Sequence, residues 1–127
     1  MTEEELQVDN TKQPFFIIDG DELTLNAMQL ENGLFIAIYQ QEKARMGTVA
    51  LCVPMTKSLV EAKLEKRRIT STTVFGSRNE IYAKALAEKV TINTGMINYL
   101  SINFQDKEEK HFTEAIQLIE KLIDEIK

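Results

Sequence analysis

Two stretches of this chain, Leu34 to Tyr39 and Val49 to Val53, are apolar at every position. A β-strand turns successive side chains to opposite faces, so each segment is greasy on both sides and needs cover on both. A period of two recurs elsewhere. Leu23, Leu25 and Ala27 alternate with Thr24, Asn26 and Met28, and Leu100, Ile102 and Phe104 alternate with Tyr99, Ser101 and Asn103. Ile69 to Phe75 is rich in β-branched residues, and Phe15 to Ile18 is a shorter apolar run. Turn residues join the early strands. Asp19-Gly20 offers a turn before Leu23, and Asn32-Gly33 predicts a type I′ hairpin turn, which needs positive φ at both central positions. Glu42 to Arg45 is a charged connection, after which Gly47 opens a strand that Pro54 stops. An antiparallel meander of three or four strands follows.

Helical spacing appears only later. Ser77 with Glu80 three residues on makes a capping box for a helix to about Val90, with Ile81, Ala85, Leu86 and Val90 as its buried stripe and Ala83 and Ala87 allowing close packing. Asp106 caps a final helix, with Glu108 and Glu109 at its positive end. In it Phe112, Ala115, Ile116, Ile119, Leu122, Ile123 and Ile126 recur at spacings of three and four. Met55 to Arg68 fits either a short helical face or an irregular crossing loop. Met1 to Gln13 is polar and acidic, and reads as a flexible arm or an edge strand. The expected fold is a single α+β domain over residues 14–127: an antiparallel β-meander sheet with two amphipathic helices on one face and the other face available for dimerisation.

The shortage of helices is quantitative. Five strands about 4.8 Å apart and some 17 Å long make a face of roughly 400 Å². Two helices, each about 10 Å across, nearly cover one such face and leave none for the other. On the uncovered side either Leu34, Ile36 and Ile38 or Phe35, Ala37 and Tyr39 meet water, with either Val49, Leu51 and Val53 or Ala50 and Cys52 beside them. An apolar patch of that size is often functional. The competing expectation is that the N-terminal arm and Met55 to Arg68 fold over it.

Composition narrows the function. At 127 residues and 43% hydrophobic content the chain is one domain long and can bury a core without staples. Its net charge of −5 argues against a sequence-independent grip on nucleic acid or an anionic membrane. The basic cluster Lys63, Lys66, Arg67 and Arg68 is interspersed with Glu61 and Glu65 and reads as a solvated face. Met1, Thr2 and Glu3 to Glu5 lack the pattern of a secretory signal, and no apolar run approaches the roughly 20 residues that span a bilayer. The expectation is a soluble protein of the cytoplasm, with the nucleus left open.

Catalytic residue types are sparse. Cys52 is the single cysteine and sits among apolar residues, so it reads as a buried, unreactive thiol. His111 is the single histidine and reads as a partly exposed residue early in the last helix. Nothing in the spacing joins the two as nucleophile and base, and no metal-ligand pattern is present. Asp19 and Asp21 are explained by turn chemistry. Gly76 between strand and helix is too little for a phosphate-binding loop. The expectation is a non-enzyme without cofactor or metal; an enzyme would need a polar pocket gathering Asp19, Asp21, Tyr99 or His111.

Leu30-Glu31-Asn32-Gly33-Leu34-Phe35 leads into one strand, Gly47-Thr48-Val49-Ala50-Leu51 into another, and Val74-Phe75-Gly76 precedes the helix containing Ala83-Lys84-Ala85-Leu86-Ala87-Glu88-Lys89. With the strand Ile97-Asn98-Tyr99-Leu100-Ser101-Ile102-Asn103 and the C-terminal helix, these segments resemble the proteasome assembly chaperones of the third and fourth types, the fourth being nearer. The resemblance spans Leu23 to Lys127; Met55 to Arg68 departs from it in length and charge. It implies a non-catalytic factor that pairs with a third-type sister chain, or with itself, and holds α-type subunits while the 20S proteasome α-ring is built. On that reading the face carrying Phe35, Ala37, Tyr39, Ala50 and Cys52 docks the sister chain, with the opposite face as the inverse assignment. Loops near Ser77, Arg78 and Asn79, or Thr56 to Arg68, then touch the α-subunit. The alternative is a small dimeric scaffold or trafficking module of the roadblock or longin kind, in which a helix precedes or interrupts the early hairpins.

Overall fold

A computed structural model describes residues 14–54, 69–76, 78–104 and 108–127, so the expectations for the N-terminal arm, Met55 to Arg68, Ser77 and Asp106 lie outside the described residues. The strands are β1 (Phe15–Asp19), β2 (Leu23–Gln29), β3 (Gly33–Gln40), β4 (Thr48–Pro54), β5 (Ile69–Phe75) and β6 (Ile97–Asn103). The helices are α1 (Glu80–Thr94), between β5 and β6, and α2 (Glu108–Ile126). The α+β class and the element order are those expected. Among the described residues no helix precedes α1.

The sheet order is β1-β2-β3-β6-β4-β5. β1, β2 and β3 form the two expected antiparallel hairpins, but β4 does not pair with β3. Instead β6 enters between them, parallel to β3 and antiparallel to β4. The meander is therefore interrupted at its centre. The reason is cover: β3 and β4 are apolar on both faces, and a third strand with Leu100 and Ile102 on one side joins their core rows into a continuous layer.

Asn32 and Gly33 do form a hairpin, in which the Leu30 N–H donates to the Gly33 carbonyl at 2.8 Å. The turn is not type I′, because Asn79, Gly76 and Gly95 are the positive-φ residues of the described chain. Gly33 is needed for a different reason: a Cβ there would lie 3.1 Å from the Ile97 carbonyl oxygen, across the pairing with β6.

Both helices pack on one face of the sheet, α1 over β4, β5 and β6, and α2 over β1 and β2. Leu23, Leu25, Ile36, Ile38, Leu100 and Ile102 meet Leu86, Val90, Leu118, Ile119 and Leu122 in this core. Asn98 pins β6 to α1 from within it. Its Nδ2 donates to the Ala87 carbonyl and to the Thr91 hydroxyl, both at 2.9 Å, and the Thr91 hydroxyl donates to the Met96 carbonyl at 2.8 Å.

The stripe of α2 matches its spacing, but that of α1 is rotated. Ala83, Leu86, Ala87, Val90 and Thr91 are buried, whereas Ile81 is 81% exposed and Ala85 lies outside. Small residues at 83 and 87 let the helix lie close to the sheet, and that close approach selects the contact row. The helix begins after Asn79, whose φ of 62° makes a left-handed N-cap without a side-chain cap bond, and it runs four residues beyond Val90 to a left-handed Gly95.

His111 corrects a further expectation: it is fully buried, not partly exposed. Its Nε2 lies 3.0 Å from Glu22 Oε1, while the Lys110 ammonium pairs with the same carboxylate and is held above the usual lysine range, chiefly by that hydrogen bond. Glu114 Oε2 accepts the N–H groups of Glu22 and Leu23 at 2.9 Å each. The β1–β2 turn is thus fastened to the first two turns of α2, and Gly20 is the residue that leaves room for the carboxylate.

Two outcomes are predicted. A Cβ at Gly47 would sit 2.0 Å from the Ile102 carbonyl oxygen, whereas one at Gly95 meets nothing within 4 Å. Gly95→Ala should therefore cost only the left-handed conformation, about 1–2 kcal/mol, and Gly47→Ala distinctly more, as read from urea unfolding midpoints. Cys52 is fully buried, and desolvation pushes its thiol upward against the hydrogen bond from Thr91. A disulfide reagent at pH 8 should leave it largely unmodified in the native protein and titrate it fully in urea.

A candidate protein interface on the open sheet face

Side chains on the sheet face away from the helices meet no other element among the described residues. The strand registers place them in rows that run across the sheet. One row is Phe15, Met28, Phe35, Tyr99 and Leu51; the next is Ile17, Asn26, Ala37, Ser101 and Val49. The first row stands up. Phe35 and Tyr99 are stacked, with ring centroids 5.2 Å apart and planes 7° from parallel, and remain 46% and 38% exposed.

The second row is low because its central residues are small. Ala37 and Ser101 form a floor, and Ser101 and Val49 are each only 6% exposed although no described element covers them. The surrounding side chains shade them. The result is an almost wholly apolar trough of about 600 Å³, bounded by Phe35 and Tyr99 on one long side and by Ile17, Met46 and Val74 toward its ends. Several polar side chains of this face bond within the chain. Asn26 Nδ2 donates to the Tyr39 hydroxyl, Ser101 Oγ accepts the Gly47 N–H at 3.1 Å, and the Thr24 hydroxyl donates to Asp19 at 2.8 Å. The face consequently offers carbon to whatever meets it, a character expected of the centre of an interface.

The structure divides the residues expected on the docking face. Phe35, Ala37 and Tyr39 lie together on the open side. Ala50 and Cys52 do not, because Ala50 pairs with Leu100 and both point into the helix-covered core at 0% exposure. The correct companions from β4 are Val49, Leu51 and Val53. Every one of these β4 residues is apolar, so alternation alone carried no information about which set faces the helices. Phe15, Ile17, Tyr99 and Val74 belong to the same face and were missed; β1 is apolar at four consecutive positions, so its sequence carried no alternation to mark them.

Arg78 and Asn79 occupy a corner at the start of α1. The Thr48 hydroxyl donates to the Arg78 carbonyl, and Asn79 Nδ2 donates to Glu108 Oε2 at 2.7 Å, tying the beginnings of the two helices together. Gly76, at φ 87°, lets this loop lie against Thr48, since a Cβ there would be 2.8 Å from the Thr48 Cα. The corner is well fixed and polar, and it is separate from the trough.

The residues with catalytic potential are dispersed. Tyr99 is on the open face, His111 is in the opposite core with Glu22, Asp19 is held by Thr24, and Cys52 is fully buried in the helix-side core. Among the described residues no group of three His, Cys, Asp or Glu side chains is placed to hold a metal ion, and no helix is long and apolar enough to cross a membrane.

Among solved structures, the chain is similar to one from the crystal structure of a chaperone complex for yeast 20S proteasome assembly. The TM-score is 0.62 at 11% sequence identity, over 91% of this chain and 94% of that one. No protein-family model matches the chain, and no curated protein does. At this identity the similarity is one of fold: the interrupted sheet with two helices on one side is an architecture used by a subunit of a proteasome-assembly chaperone complex.

Proposed function

We propose that this chain is a non-catalytic chaperone of 20S proteasome assembly, acting in the cytoplasm. It pairs through the open sheet face with a third-type sister chaperone of similar fold, and the pair holds α-type subunits while the α-ring forms. The observation that carries this reading is the apolar sheet face, uncovered by any described element, on a fold shared with a subunit of such a complex. A buried sheet face supplies affinity without chemistry. Burial of roughly 400 Å² on each partner contributes on the order of 10 kcal/mol gross at about 25 cal/mol per Å², before the losses of association.

The rigid corner at Arg78 and Asn79, away from the trough, is assigned to the α-type subunit. Two contacts on different sides of one domain let the chaperone pair and its client be held together. Neither requires a cofactor, nucleic acid or membrane.

The test is affinity purification of the tagged chain from cells of its own organism. Proteasome α-type subunits and a second small chaperone should be recovered. Ala37→Glu, which places a charge on the trough floor, should reduce recovery of the second chaperone at least about tenfold while leaving the thermal unfolding transition of the isolated chain within a few degrees. Recovery of neither partner by the unaltered chain overturns the reading.

A further inference from the structure

The helix side of the molecule carries a second apolar surface. On α1, Ala83, Leu86, Ala87 and Val90 are buried toward the sheet, while Ile81 and Ala85, one turn apart, are exposed on the outer side. Ile92, 40% exposed, continues that row two turns on. The contrast with α2 is sharp, because every exposed residue of that helix is polar, as expected of a helix that turns one face to water. The outer side of α1 lacks that character. Resting on the reading of the Arg78–Asn79 corner as the client contact, we infer that Ile81 is the anchor by which this chain grips the α-type subunit, seated in an apolar socket edged by lysine or arginine.

Charge indicates the edge of the socket. Ile81 borders a shallow cleft of about 570 Å³ that is also lined by Asn79, Glu80, Tyr82 and Glu108, so it holds two carboxylates and no cation. Glu80 Oε2 accepts the Thr73 hydroxyl at 2.8 Å, and Glu108 Oε2 accepts Asn79 Nδ2 at 2.7 Å. Neutral donors orient both carboxylates and leave their charge to attract a basic partner. Arg78 lines a separate hollow with Gly47, Thr48 and Gly76.

Ile81 is also held ready. It lies two residues after the fixed Asn79, whose carbonyl accepts the Ala83 N–H at 2.9 Å, and the adjoining Tyr82 stacks on Phe112 of α2 with ring centroids 4.6 Å apart. A β-branched side chain in a helix has one strongly preferred χ1, so docking it costs little freedom. Because this surface and the trough lie on opposite sides of the sheet, a sister chain and a client can be bound together.

The test extends the affinity purification from cells, with proteasome α-type subunits and the second chaperone quantified separately. Ile81→Ala removes the anchor at an 81% exposed position and substitutes a better helix former, so the thermal unfolding transition should not fall. Recovery of α-type subunits should drop at least about tenfold, with that of the second chaperone unchanged. Glu80→Gln combined with Glu108→Gln keeps both hydrogen-bond acceptors, and should flatten the decline in α-type subunit recovery as sodium chloride is raised. Equal recovery of α-type subunits by Ile81→Ala and the unaltered chain overturns the inference and leaves the proposed function standing. Parallel loss of the second chaperone also overturns it, since the two surfaces would then not be separate, and an unaltered salt response in the glutamine variant removes the basic edge. Failure of the unaltered chain to recover any α-type subunit overturns the client reading itself.

Discussion

The insertion of β6 between β3 and β4 governs everything else in this molecule. A parallel neighbour for β3 cannot arrive by a tight turn; the chain must leave the sheet, cross it and return. Here it leaves after β5 and returns through α1, so the crossing helix lies over β4, β5 and β6. The chain then emerges from β6 and continues into α2, which fills the remaining space over β1 and β2. Both helices are thereby committed to one side. The buried Asn98 fixes the arrangement, since its side-chain amide holds β6 against α1 through the Ala87 carbonyl and the Thr91 hydroxyl.

What is left on the other side follows from the same strand. β6 contributes Tyr99 and Ser101 to the open face, and by register each lies beside its counterpart from β3: Tyr99 beside Phe35, Ser101 beside Ala37. The pairing converts single alternations of large and small residues into continuous rows. A ridge and a trough are the consequence of two strands sharing the same alternation in register. Had β4 paired with β3 directly, the stacked ring pair would not exist.

How much of this was legible in the sequence depends on whether the signal was local. Alternation within β2 and β6 and the apolar run of β3 located those strands, and the spacing in α2 located Ala115, Ile119, Leu122 and Ile123 of its buried face but not Leu118. Pairing between distant segments was not legible, because Leu34 to Tyr39 and Val49 to Val53 suit any apolar neighbour equally well. That degeneracy also put Ala50 and Cys52 on the wrong side: both sets of β4 residues are apolar, and only the alignment of Ala50 with Leu100 separates them. His111 was misplaced for a related reason. A histidine early in a helix reads as solvated until the opposing carboxylate, Glu22, arrives from a turn 89 residues away. Ile81 failed in the opposite sense, as an apolar residue at helical spacing that the close approach of Ala83 and Ala87 leaves outside. That both described helices would share one face was legible because it rests on a count of covering elements and not on their arrangement; the segments expected as a competing cover lie outside the described residues.

The division between the two faces bears on how such a chain can both persist alone and associate. The helix-side core is complete within the chain: its largest side chains are fully buried, and the β1–β2 turn is fastened to α2 by Glu114 and Glu22. The open face adds stability only by mass action, through whatever binds the folded state. An exposed apolar sheet is also a hazard, and the edge strand β1 answers it in part by being short, beginning after Pro14 and ending in Asp19. A protein whose core closes on one side and whose apolar surface lies on the other can gain or lose a partner there without unfolding.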